Sequence, residues 1–142
     1  MTGEHDLKRL LAEMSPVLDP ETYVFATLPD RNIPPGLAPR MTMQEGEGLT
    51  IIVTETEAKA AGLDHVFACR MITLDVHSAL DAVGFLSKVT TRLAVLGMGV
   101  NPVAGYYHDH LFVPTDRAED AMTALGEMVR EASGYGRVRR SD

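Results

Sequence analysis

Apolar side chains near the start of the chain fall at Leu7, Leu10, Leu11 and Met14, a helical spacing that stops at the Ser15-Pro16 step. Proline disfavours a helical residue before it, so the pattern predicts one short helix there. Residues 22–28 are rich in β-branched and aromatic side chains and are ended by Pro29 and Asp30, which predicts a strand. Pro29, Pro34, Pro35, Gly36 and Pro39 make residues 29–39 an irregular loop. Beyond it, residues 41–44 and 49–54 flank the turn Glu45-Gly46-Glu47-Gly48 and read as a hairpin. Thr54-Glu55-Thr56-Glu57 then opens a short helix through Ala61, closed by Gly62.

The second half is more regular. Residues 67–76 predict a strand with Ala68, Arg70, Ile72, Leu74 and Val76 on one face. A connecting turn or helix start at 78–81 leads to Phe85, Leu86, Val89, Leu93 and Leu96, the apolar stripe of a helix that Gly97 ends. Residues 100–107 and 110–113 predict a second hairpin. Asp116 and Glu119 then stand at capping-box spacing before a final helix marked by Ala118, Ala121, Met122, Leu125, Met128, Val129 and Ala132 and stopped by Gly134. Both halves share the order strand, turn, strand, short acidic linker and helix, as in a weak internal duplication. The second half has the full strand-helix-strand-strand-helix order, whereas the first puts the proline-rich loop where its first helix would stand. The expected fold class is α+β: two ferredoxin-like βαββαβ units, the first degenerate, with helices on one face of antiparallel sheet. The expected division is 1–65, 66–134 and a basic tail at 135–142.

Composition narrows the function. With 142 residues there is room for one or two small domains, and none for a catalytic domain plus its regulator. A formal charge of -7 argues against a phosphate-neutralising surface, so no nucleic-acid partner is expected. The tail carries Arg137, Arg139, Arg140 and Asp142, and its small positive charge suits solubility. The single cysteine, Cys69, excludes an internal disulfide and a Cys-x-x-Cys ligand pair, which fits a reducing cytoplasmic setting. The charged N-terminus has no secretory apolar core, and no stretch approaches the ~18 apolar residues of a membrane span. A cytoplasmic protein without a membrane partner is expected.

The stretch from Ile72 to Leu125, ITLDVHSALDAVGFLSKVTTRLAVLGMGVNPVAGYYHDHLFVPTDRAEDAMTAL, resembles an ACT domain of the aspartokinase and cytosolic arginine-sensor branch. It is carried by the strand, the Ser78-Ala79-Leu80 turn, Gly84, the apolar helix, Gly97 and the tyrosine hairpin with its aspartate. Over residues 7–132 the chain is similar to small stand-alone bacterial proteins with two ACT-like units. The resemblance implies a βαββαβ regulatory module that binds an amino acid or similar small metabolite where two units pack. Such a unit needs one more strand than follows the last helix, to be supplied by the other unit or by a partner subunit. A homodimer and a separate effector protein are also implied.

On this resemblance the turn at 76–85 is the ligand loop. Backbone amides of Val83, Gly84 and Phe85 at a helix start would hold a ligand carboxylate, Ser78 would contribute from the turn, and Gly84 would admit close approach. Asp109 would pair with a cationic group and Asn101 would bond the ligand through its amide. Each residue also has a plain structural reading: Ser78 as a cap, Gly84 as helix packing, Asp109 as a turn residue, Asn101 as a strand-end amide. His77, His108, Asp109 and His110 contain metal-ligand chemistry, but the hairpin turn disturbs their alternation, and no metal or other cofactor is expected. Tyr106 and Tyr107 could stack on a ligand or cover a sheet or an interface. No nucleophile elbow, phosphate loop or paired Cys/His nucleophile occurs, so no catalytic residue and no enzyme is expected. A non-enzymatic amino-acid sensor is the leading expectation; the alternative is an oligomerisation or docking module without a ligand. A small metal-dependent enzyme built on the histidine hairpin is a third.

Overall fold

The computed structural model describes residues 3–134, which leaves the basic tail outside the described residues. The elements are α1 (Leu7–Glu13), β1 (Ser15–Leu28), β2 (Met41–Gln44), β3 (Leu49–Thr54), α2 (Glu55–Ala60), β4 (Val66–Asp75), α3 (Phe85–Val95), β5 (Asn101–Ala104), β6 (Asp109–Pro114), a 3-10 turn Thr115–Arg117, and α4 (Ala118–Ala132). They form two compact units. One is continuous, Pro20–Arg70; the other is composite, Met1–Asp19 with Met71–Asp142. The long strands β1 and β4 contribute one half to each.

In the continuous unit the strand order is β2-β3-β1-β4, with β3 antiparallel to both neighbours for which the register is defined. The β-branched run of β3 buries Leu49, Ile51 and Val53 with Val24, Ala26 and Leu28 of β1 and Ala58 of α2. Helix α2 starts as expected: Thr54 and Glu57 close a full capping box, and Gly62 turns the chain at φ 66°. The proline-rich loop replaces a helix and contributes Leu37 to the core. It is pinned by the Ala38 amide donating to Glu57 Oε2 at 2.8 Å.

In the composite unit the order is β1-β4-β6-β5. The first half of β1 stands where a ferredoxin-like unit has its fourth strand, so the chain itself fills the expected gap. Leu10 of α1 and Met14 at its C-cap join a core shared with Ile72 and Leu74 of β4, Phe85, Val89 and Leu93 of α3, Leu111 and Val113 of β6, and Leu125 of α4. Each helix thus turns its apolar stripe to the same core.

Four local readings need correction. The first long strand begins at Ser15, seven residues before Thr22, and β5 ends at Ala104 before the tyrosines. The Asp116 and Glu119 capping box is not formed: Asp116 lies inside the 3-10 turn, and α4 starts after Arg117 without a side-chain cap. Within β4 the face expected to hold Ala68 through Val76 is interrupted. Phe67 has φ 62°, Ala68 is exposed, and Cys69 and Met71 are buried as well as Ile72 and Leu74. A left-handed residue in a strand offsets the alternation on either side of it.

Candidate functional site

The two hairpins are built to one plan. In the continuous unit Met41 pairs with Ile52 and Gln44 with Leu49; in the composite unit Asn101 pairs with Phe112 and Ala104 with Asp109. The turns match too: the Glu45 amide donates to the Gly48 carbonyl at 2.9 Å, and the Gly105 amide to the His108 carbonyl at 2.8 Å. Along β3 and β6 the succession of buried and half-buried residues is the same. The duplication therefore supplies an internal control: where the two copies differ in chemistry at one place in one fold, folding alone does not require the difference.

The sharpest difference is at the start of the second hairpin strand. The continuous unit has Leu49 there, 5% exposed, and the composite unit has Asp109, 8% exposed. The Asp109 carboxylate accepts a hydrogen bond from Ser78 Oγ at 3.3 Å. Burial pushes its pKa above the usual carboxylate range, against the opposing effects of the Ser78 hydroxyl and of His110 and His108 nearby. Both polar residues line a pocket of about 180 Å³ whose other walls are Ala79, Leu80, Ala82, Phe85, Leu86 and Ala104. At ~30 Å³ per water this is room for about six waters, the size of a small metabolite and too little for a nucleotide.

Phe85 and Leu86 of the lining belong to the start of α3. Gly84 is its N-cap, in the left-handed region at φ 89°, and the first amide to bond back is that of Lys88, to the Gly84 carbonyl at 3.0 Å. The amides of Phe85, Leu86 and Ser87 therefore have no intrahelical acceptor, and they carry the positive end of the helix dipole. The pocket thus brings a buried carboxylate together with the first residues of a helix.

The loop that carries Ser78 is held from outside by the N-terminal segment. The Glu4 amide donates to the His77 carbonyl at 2.7 Å, and the Ala79 amide donates to the Glu4 carbonyl at 3.0 Å, a parallel bridge between Glu4 and Ser78. His5 Nε2 lies 2.7 Å from Asp81 Oδ1. Gly3, at φ 99°, lets the strap lie this close, because a Cβ there would sit 2.6 Å from the Ala79 nitrogen. Gly3→Val is expected to lift the strap and quicken amide hydrogen exchange at Ala79, with exchange in the 45–48 turn unchanged as the internal reference.

Of the residues expected to form the site, Ser78, Phe85 and Asp109 come together in the pocket. Val83 is 85% exposed. Gly84 lines a separate open groove among α1, α3 and α4, where a Cβ would lie 3.6 Å from Leu7. Asn101 is exposed at the outer end of edge strand β5. Ala79, Leu80 and Ala82 fall inside the expected 76–85 ligand loop, whereas Leu86 and Ala104 have no site expectation from sequence; small apolar walls carry no motif, though aligning the hairpins flags Ala104.

The histidines diverge. His108 places Nδ1 3.4 Å from the Val76 carbonyl and Nε2 3.6 Å from Asp75, His110 bonds Thr73 Oγ1 at 2.9 Å, and the His77 ring lies 5.2 Å from that of Tyr107. Among the described residues no three His, Cys, Asp or Glu side chains are grouped to hold a metal ion. Tyr106 and Tyr107 are exposed and pack edge to face at 4.9 Å. Cys69 is fully buried, donates to the Tyr23 carbonyl at 3.3 Å, and burial pushes its thiol up to about 12, so it holds no thiolate at neutral pH. No helix among the described residues is long and apolar enough to cross a membrane.

Two ferredoxin-like units in tandem, one with a small pocket beside the start of α3, define the class of paired regulatory ACT modules. The ACT domain family matches the chain twice, over residues 2–70 and 66–127, and the chain belongs to it as a tandem ACT-domain protein. It is similar to a Vibrio cholerae protein of unknown function described as a possible transport protein, with 42% identity over 87% of this chain and 95% of that one and a TM-score of 0.76. The ligand-free regulatory subunit of aspartate kinase from Thermus thermophilus shares the fold at a TM-score of 0.63 and 14% identity, over 83% of this chain and 97% of that one. The regulatory subunit from Thermus flavus does so at 0.61 and 14%, over 80% and 95%. No curated protein matches the chain. Membership of this family points to a regulatory, ligand-binding role.

Proposed function

We propose that this protein is a non-enzymatic cytoplasmic sensor that binds a free amino acid in the Ser78–Asp109 pocket. The observation that carries the reading is Asp109, a buried carboxylate on a pocket wall at a place that the other copy of the same hairpin fills with leucine. Asp109 takes the ligand ammonium as a charge-assisted hydrogen bond, with Ser78 holding the carboxylate in place. The free amides of Phe85 and Leu86, the two residues of the start of α3 that line the pocket, take the ligand carboxylate. Asn101 and Val83, exposed outside the pocket, are available to a second copy, and a homodimer read by a separate effector protein belongs to the same reading.

The test is a thermal-shift panel of the twenty standard amino acids, with Asp109→Asn as control. A few of them should raise the midpoint, since a ligand that binds only the folded state stabilises it by mass action, and Asp109→Asn should abolish the response. The response should also weaken as pH falls. Burial raises the Asp109 pKa, so the carboxylate that pairs with the ammonium is protonated sooner on acidification than an exposed one. If no amino acid shifts the midpoint and Asp109→Asn alters only self-association, the protein is an oligomerisation or docking module.

A further inference from the structure

We infer that the continuous unit carries the same site in closed form, latched by the chain's own Arg31 guanidinium, so that each chain offers one open ligand site. What the open site binds rests on the reading above; the closed state of its counterpart stands on separate observations.

Corresponding positions follow from the shared hairpin register. Thr27 pairs with Thr50, and in the composite unit Thr73 bonds His110, the residue equivalent to Thr50. Four residues on from Thr27 and from Thr73 stand Arg31 and His77, each in the loop beyond its strand. Three replacements then distinguish the copies. Asp109 is matched by Leu49, which is buried in the apolar core. The pocket-lining Ala104 is matched by Gln44, and His77 is matched by Arg31.

Arg31 closes the set. Its Nη1 donates to Gln44 Oε1 at 2.7 Å, and its Nη2 donates to the carbonyls of Glu45 at 2.8 Å and Gly46 at 3.2 Å. It does so from the left-handed region, at φ 64°, which residues with a Cβ rarely adopt. A strained backbone that aims a five-donor fork at three acceptors on one turn is a guanidinium site whose ligand is covalently attached. Leu49 is buried where Asp109 stands in the other copy, and Gln44 and Arg31 lie exposed above it, where the guanidinium ties down the turn from outside.

The test vacates the latch and offers its chemistry back. Glycine suits φ 64°, so Arg31→Gly keeps the loop conformation while removing the side chain. In that variant amide exchange at Glu45 and Gly48 should quicken several-fold, and added methylguanidinium should slow it again in a saturable way, with no effect on the wild type. If exchange at Glu45 and Gly48 is unchanged in Arg31→Gly, or methylguanidinium does not restore it, the latch is overturned while the sensor reading stands. If instead the amino-acid panel is silent and methylguanidinium still rescues Arg31→Gly, the sensor reading falls and the latch stands. With an amino acid that responds, titration should give one site per chain; two sites, or a residual response in Asp109→Asn, would overturn the closed state.

Discussion

Asp109→Leu is expected to raise the unfolding midpoint while abolishing the response to amino acids. Leucine is the residue that the other hairpin holds at the corresponding position, where Leu49 is buried in an intact core. Asp109 is 8% exposed and has one side-chain donor, the Ser78 hydroxyl at 3.3 Å, so burying its charge costs more than that bond returns. Replacing it by an apolar group should stabilise the fold by about 1–3 kcal/mol, the range set by an under-satisfied buried polar group. The pH dependence has a definite sign. The folded pKa is raised above the unfolded value of about 3.9, so between the two the folded state holds a proton that the unfolded chain has released. Stability of the wild type falls as pH rises through that window, and the advantage of Asp109→Leu grows from nearly nothing in acid to its full size above the folded pKa. Chemical denaturation at several pH values measures both. A loss of stability at neutral pH would mean that Asp109 is a structural anchor for the 76–84 loop. The reverse exchange, Leu49→Asp, should be strongly destabilising, because it buries a carboxylate in the apolar core of Val24, Ala26, Leu28, Ile51 and Val53.

How much of this was readable beforehand depends on what each residue signals locally. The hairpins were legible because β3 and β6 are short apolar runs bounded by turn residues, and α3 because Phe85, Val89 and Leu93 recur at helical spacing. The first half of β1 was hidden. Pro16, Asp19, Pro20 and Glu21 have low strand propensity, and the segment is extended because β4 lies beside it and Leu18 packs on the composite core. The left-handed Phe67 has no sequence signature either; its ring packs edge to face on Phe25 at 5.9 Å, a tertiary contact. At the last helix the Asp116 and Glu119 spacing misled because Arg117, through bonds to the Leu96 carbonyl and Asp120, holds the entry turn. For the site, the resemblance to ACT domains drew attention to Ser78, Phe85 and Asp109, whereas the small apolar residues that give the pocket its volume carry no chemistry to notice.

A chain cut to residues 66–134, the second unit as its sequence suggests, is expected not to fold. The core into which Phe85, Val89, Leu93 and Leu125 pack also contains Leu10 of α1 and its C-cap Met14, 0% and 2% exposed, and Leu18 packs against it from β1. Removing one large buried apolar side chain costs about 2–5 kcal/mol, so losing Leu10 and Met14 alone approaches the ~5–15 kcal/mol of a whole domain. The fragment also lacks the strand beside β4, and it loses the Glu4 strap that carries two backbone hydrogen bonds to the 77–79 loop. An unpaired edge on β4 beside an uncovered helical face favours aggregation over a marginal fold. Returning residues 3–19 to the C-terminal end of the fragment through a flexible Gly/Ser linker should restore a cooperative transition, because the missing helix and strand are then tethered to the unit they complete. Circular dichroism and amide-dispersed NMR spectra of both fragments decide it. A cooperative transition in the bare fragment at the midpoint of the full chain would show that α1 and the first half of β1 are dispensable to the composite core. Rescue by the tethered segment would show that the N-terminal residues, which the linear order assigns to the first unit, are the fourth strand and the third helix of the unit that carries the pocket.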